Sequence, residues 1–229
     1  MANDQLPKLA ILGGTGDQGS GLALRWALAG YPVTIGSRSA ERVSKHVNSL
    51  NEQYKTIKMV GDSNRGAAAS AEMVILTVPF KVQRTTVVEV RDLLDNKILI
   101  DVTVPLVPPK VARAQLPVGG SAVAGIQELL GQSVKVVSAF QNVSAEHLQH
   151  VDEPIDCDVL VCGDDVEARE AVIKLAADGG MRGIHAGPLS NSVVAEALTS
   201  VLIGINKRYK VHGAGISITG LPGPVEDCR

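Results

Sequence analysis

The sequence predicts an α/β protein built on a doubly wound, mostly parallel sheet. Short apolar runs alternate along the chain with segments of helical periodicity. The runs are nearly continuous in Val, Ile and Leu, which is typical of parallel strands covered by helices on both faces. A glycine-rich turn joins the first run to the first helical segment, as in folds that bind nucleotides at the carboxyl edge of such a sheet.

Strands are predicted, in order, at KLAIL, PVTIG, MVILTV, KILIDV, KVVSAF and DVLVCG, with helices in most of the segments between them. Helical periodicity then runs from about Val166 to Ala177. A long, strongly apolar helix is predicted from Ser192 to about Lys207, in a core or a subunit interface. We divide the chain into a dinucleotide-binding domain, residues 1–140, and a smaller C-terminal α/β domain on the substrate side, residues 141–229.

Composition and charge argue against several classes of function. The formal net charge is −2 and only 3% of residues are aromatic, so neither the charge pattern nor the stacking surfaces of a nucleic-acid-binding protein are present. No apolar run reaches the roughly 18 residues of a membrane span, and the first residues lack a signal-peptide pattern. We therefore expect a cytoplasmic protein without membrane contact. Cys157, Cys162 and Cys228 have no metal-binding or redox spacing and are expected to be reduced thiols.

Gly14, Gly16 and Gly19 form a G-x-G-x-x-G pattern between the first strand and the first helix. In this context Gly14 is expected to permit the tight turn, and Gly16 to let the backbone approach a pyrophosphate. Gly19 is expected to allow close packing of the helix on the strand. Free N–H groups and the positive end of the helix dipole then attract the anion. The pattern predicts a Rossmann-type dinucleotide site rather than a purely structural glycine turn.

The end of the second strand predicts which dinucleotide is bound. Ser37 and Arg38 stand where an NAD site normally has Asp or Glu, and Arg42 follows one helical turn later. Two guanidinium groups and a hydroxyl are suited to the 2′-phosphate of NADP. The alternative is that Arg42 belongs to a solvated helix face.

The chain contains, in this order, the blocks ILGGTGDQGSGLALRWALAGYPVTIGSR, LTVPF, VVSAF, VCGDD and AGPLSNS. Together they resemble the NADPH-dependent reductases of the deazaflavin coenzyme F420 over nearly the full length. The resemblance implies hydride transfer between the nicotinamide C4 of NADP(H) and C5 of coenzyme F420 as co-substrate. Such a step depends on ring alignment and water exclusion, so no catalytic side chain is expected.

The resemblance also implies the residues that bind the cofactors. Those near the phosphates and the nicotinamide of NADP are Gly14, Thr15, Gly16, Asp17, Gln18, Gly19, Ser37, Arg38, Arg42, Thr77, Val78 and Pro79. Those on the deazaflavin side are Ala139, Gln141, Asn142, Pro188, Leu189, Ser190 and Asn191. Some members of the family carry His in the loop that holds Gln141 and Asn142. Amides can bond a deazaflavin ring but cannot donate a titratable proton.

Several of these residues also have structural interpretations. Pro79 can simply end a strand, the amides can belong to an ordinary loop, and Ser190 and Asn191 can cap the last helix. His185 is more typical of a structural residue. The end of the last helix carries a basic cluster, which either forms a solvated face or attracts the anionic tail of F420. Its members are Lys207, Arg208, Lys210 and His212. His147 and His150 have no carboxylate at a suitable spacing, so no metal site is expected.

Two other functions remain open from the sequence. One is an NADPH-dependent reductase of another acceptor, such as a flavin, a ferric complex, or a small carbonyl or imine compound. The other is an NADP-sensing module without turnover. The apolar last helix also predicts a homodimer.

Overall fold

The computed structural model describes residues 6–221. Its strands are β1 Leu9–Leu12, β2 Val33–Ser37, β3 Val60–Ser63, β4 Met73–Leu76, β5 Ile98–Asp101, β6 Lys135–Ser138, β7 Asp158–Gly163 and β8 Arg182–His185. Its α-helices are α1 Asp17–Leu28, α2 Ala40–Gln53, α3 Asn64–Ser70, α4 Phe80–Val90, α5 Ala122–Leu130, α6 Ala145–Gln149, α7 Val166–Asp178 and α8 Ser192–Tyr209. Short 3₁₀ turns lie at Arg91–Leu93 and Leu189–Asn191.

Within the described residues the strands form one sheet in the order β3-β2-β1-β4-β5-β6-β7-β8. Strands β1 to β6 pair in parallel, β7 is antiparallel to β6, and β8 is parallel to β7. The strand order reverses between β1 and β4, which opens a crevice at the carboxyl edge. The predicted mostly parallel α/β fold is confirmed. The sheet runs on across residue 140, and the division into two domains stays a prediction.

Both faces of the sheet are covered by helices. Leu9 and Ile11 of β1 pack into one core with Trp26 of α1, whereas Ala10 and Leu12 pack into the other core with Val87 of α4. All six side chains are fully buried. This alternation is the expected result for a central strand of a doubly wound sheet.

The six predicted strands are present, but β3 and β8 were not predicted. These two are the edge strands of the sheet. Their sequences, VGDS and RGIH, lack an apolar run, and none of their residues is fully buried. An edge strand needs little apolar character, since one side of it faces solvent, and it therefore leaves a weak sequence signal.

Helix α8 and the turn before it, Leu189–Tyr209, form the one described stretch long and apolar enough to cross a membrane by length and composition. The expectation that no segment reaches this length is thus wrong by that measure. The helix nevertheless buries Glu196 and packs on α5, and it ends in Lys207 and Arg208. Those features are typical of a partly buried helix in a globular protein.

Candidate functional site

A cleft of about 1000 Å³ opens at the carboxyl edge of the sheet. The start of α1, the ends of β2, β4 and β5, the loop after β6 and the second half of α8 contribute to its walls. An open α/β sheet forms its ligand crevice at this position. The predicted residues that line it are Thr15, Gly16, Asp17, Gln18, Ser37, Arg38, Arg42, Thr77, Val78, Pro79, Gln141 and Asn142.

One glycine of the first turn has a different role from that expected. Gly13, with φ of +79°, takes the left-handed conformation that the tight turn requires, so that role does not belong to Gly14. A Cβ on Gly14 would lie 2.9 Å from the Ile11 carbonyl oxygen. A Cβ on Gly19 would collide with the Thr77 hydroxyl. Both residues therefore allow close packing of α1 on the strands.

Gly16 is the glycine with space around it. A Cβ there would meet nothing nearer than the Gly13 carbonyl oxygen, at 3.6 Å. Gly16 is also the N-cap of α1, and no side chain caps the helix. The first N–H groups of α1 therefore face an open space that an anion fits.

Ser37, Arg38 and Arg42 come together at the β2 end of the cleft. Neither arginine side chain has a hydrogen bond or an ion pair within residues 6–221. Ser39, which was not predicted, also lines the cleft, and its hydroxyl caps α2 by accepting a bond from the Arg42 N–H. Two exposed cations without a partner in the described chain thus lie on either side of the α2 N-cap, beside the cleft.

A second Thr-Val-Pro segment lines the cleft beside the predicted one. Thr77 to Pro79 follow β4, and Thr103 and Val104 follow β5 on the neighbouring strand. The Thr77 hydroxyl donates to the Leu12 carbonyl at 3.0 Å, so it fixes strand β1 rather than facing a ligand. The repeat of TVP after two apolar runs was the sequence signal that could have revealed the second segment.

The amide side chains of the loop after β6 bond to the protein itself. Gln141 donates from Nε2 to the Asp101 carbonyl oxygen at 2.7 Å and to Ser138 Oγ at 2.8 Å. Asn142 donates from Nδ2 to the Asp158 carbonyl oxygen at 2.6 Å. Both side chains are almost fully buried. Their N–H groups therefore hold the loop itself, while their side-chain oxygens have no hydrogen-bond partner within the described chain.

Phe140 connects this loop to the glycine turn. Its φ of +70° is left-handed, which is costly for a residue with a large side chain. Its ring packs edge-on against Trp26 with centroids 5.7 Å apart, and its carbonyl accepts a bond from Gln18 Nε2 at 3.1 Å. Gln18 thus joins the start of α1 to the loop on the far side of the cleft.

Ala139 and the segment Pro188 to Asn191 do not line the cleft. Ala139 is fully buried in a core. Leu189 is also buried, and its N–H donates to Asp164 Oδ1 at 2.9 Å, so the VCGDD and AGPLSNS blocks bond to each other. Asn191 is the N-cap of α8 but makes no capping bond, because its Nδ2 donates to the Ala186 carbonyl.

The second half of α8 supplies a cleft wall that was not predicted. Its residues on the cleft are Thr199, Leu202, Ile203 and Asn206. Their spacing of three and four matches that of any core-facing helix, so the sequence alone did not separate them from core residues. The basic cluster lies just beyond this wall, with Lys207 and Arg208 exposed. His212 lies 3.7 Å from Glu146.

The remaining titratable residues point to structure. No group of three or more His, Cys, Asp or Glu that could hold a metal is found in residues 6–221. His185 bonds Glu170 at 3.0 Å on the surface. Cys157 and Cys162 are buried free thiols, and burial raises the pKa of Cys162 to about 11. Cys228 lies outside the described residues.

Known proteins share this sequence pattern from end to end. A family model described as "NADP oxidoreductase coenzyme F420-dependent" matches residues 8–105. The F420-dependent NADP reductase of Methanothermobacter thermautotrophicus is 44% identical over 97% of this chain and 99% of its own. The chain belongs to the F420-dependent NADP reductase family.

A second relative supports the family assignment, and a solved structure supports the fold. The F420-dependent NADP reductase of Methanocaldococcus jannaschii is 42% identical, over 93% of this chain and 99% of its own length. A crystal structure of a putative F420-dependent NADP reductase from Arthrobacter sp. FB24 superposes with a TM-score of 0.77 at 23% identity, over 93% of this chain and 99% of that one. This family likeness covers the glycine turn, the TVP segments and α8 alike.

Proposed function

We propose that this chain transfers a hydride between the nicotinamide C4 of NADP(H) and C5 of coenzyme F420. One observation supports the proposal most strongly. A single cleft joins an end with an uncapped helix and unpaired guanidinium groups to an end with a largely uncharged wall. The first end suits the phosphates of NADP, and the second suits two flat rings.

The phosphate end is assigned by chemistry. The α1 N-terminus beside Gly16 binds the pyrophosphate, and Ser37, Arg38 and Arg42 bind the 2′-phosphate. With the phosphates held there, the nicotinamide extends toward the ends of β4 and β5. NADP supplies the hydride chemistry when bound.

The ring end aligns the reactants and excludes water. Val78, Val102 and Leu202 contribute apolar surface to this part of the cleft. Gln141 and Asn142 hold the loop that forms the wall on the deazaflavin side. Because hydride transfer between stacked rings needs no nucleophile, no side chain has to gain or lose a proton. Pro188 to Asn191, which bond to the loop after β7, act through the placement of α8.

The experiment is to mix purified protein with NADPH and F420 and follow the F420 absorbance. We expect F420 to be reduced, and FMN, a ferric complex and a cyclic imine to react far more slowly. Faster reduction of one of those acceptors would support the alternative reductase. Tight NADPH binding without reduction of any acceptor would support the sensing module.

We propose further that two copies associate through α8. Val194, Leu198, Val201 and Ile205 recur at spacings of four, three and four, and Val194 and Val201 are 61% and 52% exposed. This stripe is long and self-complementary enough for the same helix of a second copy. Light scattering should report a dimer, and Val201→Glu should give a folded monomer; a monomeric wild type would refute the dimer.

We also propose a cytoplasmic location.

A further inference from the structure

Two carboxylates are buried close together beneath the wall of the cleft. Asp101, the last residue of β5, is fully buried, and Glu196 of α8 is 1% exposed. Glu196 accepts bonds from Ser121 Oγ at 2.6 Å and from the Ala122 N–H at 2.8 Å. Neither carboxylate has an ion-pair partner anywhere in residues 6–221.

Asp101 is held by neutral donors alone. Its Oδ1 accepts from the Thr103 N–H at 2.9 Å, and its Oδ2 accepts from Gln83 Nε2 at 2.6 Å. Burial, with a smaller effect from the charge of Glu196, raises the pKa of Asp101 to about 6. When Asp101 is ionised, it is a buried anion without a cation, which is costly.

One other titratable group lies near Asp101. The neighbouring strand β6 presents Ser138, α4 presents Gln83 and α5 presents the uncharged Ala122. Only α8 brings a titratable group, Glu196, whose own pKa is raised by burial. Nothing in the described fold thus compensates the charge of Asp101.

The position of Asp101 suggests what does compensate it. In the sheet it pairs with Leu76, the residue before the first TVP segment. The next residues, Val102 and Thr103, line the cleft, and so does Gln141, which bonds the Asp101 carbonyl. Under the proposed function, on which this step rests, the nicotinamide occupies this end of the cleft.

We propose that Asp101 sets the preference of the site between the two redox states of NADP. The nicotinamide ring is cationic in NADP⁺ and neutral in NADPH. An ionised carboxylate buried beside the cleft attracts the cation and leaves the neutral ring nearly unaffected. Asp101 does not touch the ring; it is a specificity-determining residue that acts through the field it creates.

The test compares the dissociation constants of NADP⁺ and NADPH at pH 8 in the wild type, Asp101→Asn and Glu128→Gln. Asn keeps the acceptor for the Thr103 N–H and removes the charge, although its amide N–H group replaces the oxygen that accepts from Gln83 Nε2. Glu128 is an exposed carboxylate on α5, so its variant has the same change in net charge. We expect Asp101→Asn to weaken NADP⁺ relative to NADPH by roughly tenfold, the order of magnitude of the effect of one buried unit charge at an effective dielectric of about 20. Glu128→Gln should leave the ratio within about twofold.

The wild type provides a second measurement that needs no variant to fold. As the pH falls from 8 through the pKa of Asp101, its charge is lost, and the affinity for NADP⁺ relative to NADPH should fall by a similar factor. The 2′-phosphate titrates in both cofactors, so its effect cancels in the ratio. Asp101→Asn should remove this pH dependence.

The outcomes separate this inference from the proposed function. A constant ratio in the wild type from pH 8 to pH 5, or a pH dependence that persists in Asp101→Asn, would overturn the role of Asp101 while NADPH still binds. Failure of the wild type to bind NADPH at all would overturn the proposed function, and this inference with it.

Discussion

The two ends of the cleft differ in the kinds of chemical group that line them. The phosphate end consists of backbone N–H groups, a hydroxyl and two exposed arginines, all from the first 42 residues of the chain. The ring end consists of buried amides, apolar side chains and a buried carboxylate from β5, the loop after β6 and α8. A site for a charged group can be made from a short local segment, whereas a site for a flat ring needs surfaces from distant parts of the chain.

That difference predicts the largest effect at Gly16. Gly16→Val should abolish NADPH binding, by at least about 1000-fold, because the side chain would fill the space left for the pyrophosphate. The φ of −88° suits valine, so the variant should fold. Gly19→Val should instead destabilise the protein, since its side chain would collide with Thr77. Isothermal titration and thermal melts measure both effects; unchanged NADPH affinity in folded Gly16→Val would remove the turn from the site.

Arg38 tests whether the phosphate end distinguishes NADP from NAD. Arg38→Ala should weaken NADPH by roughly 10- to 100-fold and leave NADH nearly unchanged, because a charge-assisted bond to phosphate contributes about 1.5 to 3 kcal/mol. Adding Arg42→Ala should weaken NADPH binding further, but by less than an independent substitution would, because both arginines contact one phosphate. Arg84→Ala, which removes an exposed cation from α4, is the control. Equal losses for both cofactors would contradict the assignment.

The buried carboxyl group of Asp101, at the ring end of the cleft, should make the stability of the protein depend on pH. The pKa of Asp101 in the folded protein is about 6, above its value of about 3.9 in the unfolded chain. The folded state therefore holds the proton more tightly, and stability is lost as the pH rises from about 4 to about 6. Between pH 4 and pH 8, the free energy of unfolding of the wild type should therefore fall by roughly 3 kcal/mol relative to that of Asp101→Asn. Urea unfolding at both pH values measures this difference; no change with pH would mean that Asp101 titrates normally.

Gln18 tests the connection between the two ends. Gln18→Ala removes the bond to the Phe140 carbonyl, and Phe140 is held in a left-handed conformation. A hydrogen bond of this kind contributes about 1 kcal/mol, so we expect the KM for F420 to rise roughly 3- to 10-fold. The affinity for NADPH should change less than about twofold. Gln53→Ala, on the exposed end of α2, is the control; a larger effect on NADPH than on F420 would place Gln18 at the phosphates instead.

The same contrast explains what the sequence predicted well. Ser37, Arg38 and Gly16 line the cleft because their positions depend on one strand, one turn and one helix. The central strands were predicted because burial on both faces requires an apolar run. The fold class followed from those local signals alone.

The ring end was predicted less well, since its geometry depends on long-range contacts. Gln141 bonds a carbonyl 40 residues earlier, and Thr199 bonds the carbonyl of Gln141 from 58 residues later. No local pattern distinguishes Thr199 from another core-facing residue of α8. The left-handed residue of this loop is Phe140 and not a glycine, so the sequence did not predict the turn.

Direct hydride transfer requires the cleft to align the two rings. NADPH carrying deuterium at C4 should be mixed with the protein and F420 in ordinary water, and the reduced F420 should be examined by NMR and mass spectrometry. Direct transfer predicts that the deuterium from one face of the nicotinamide arrives at C5 of F420 without loss to solvent. Reduced F420 that contains only solvent hydrogen at C5 would contradict the account.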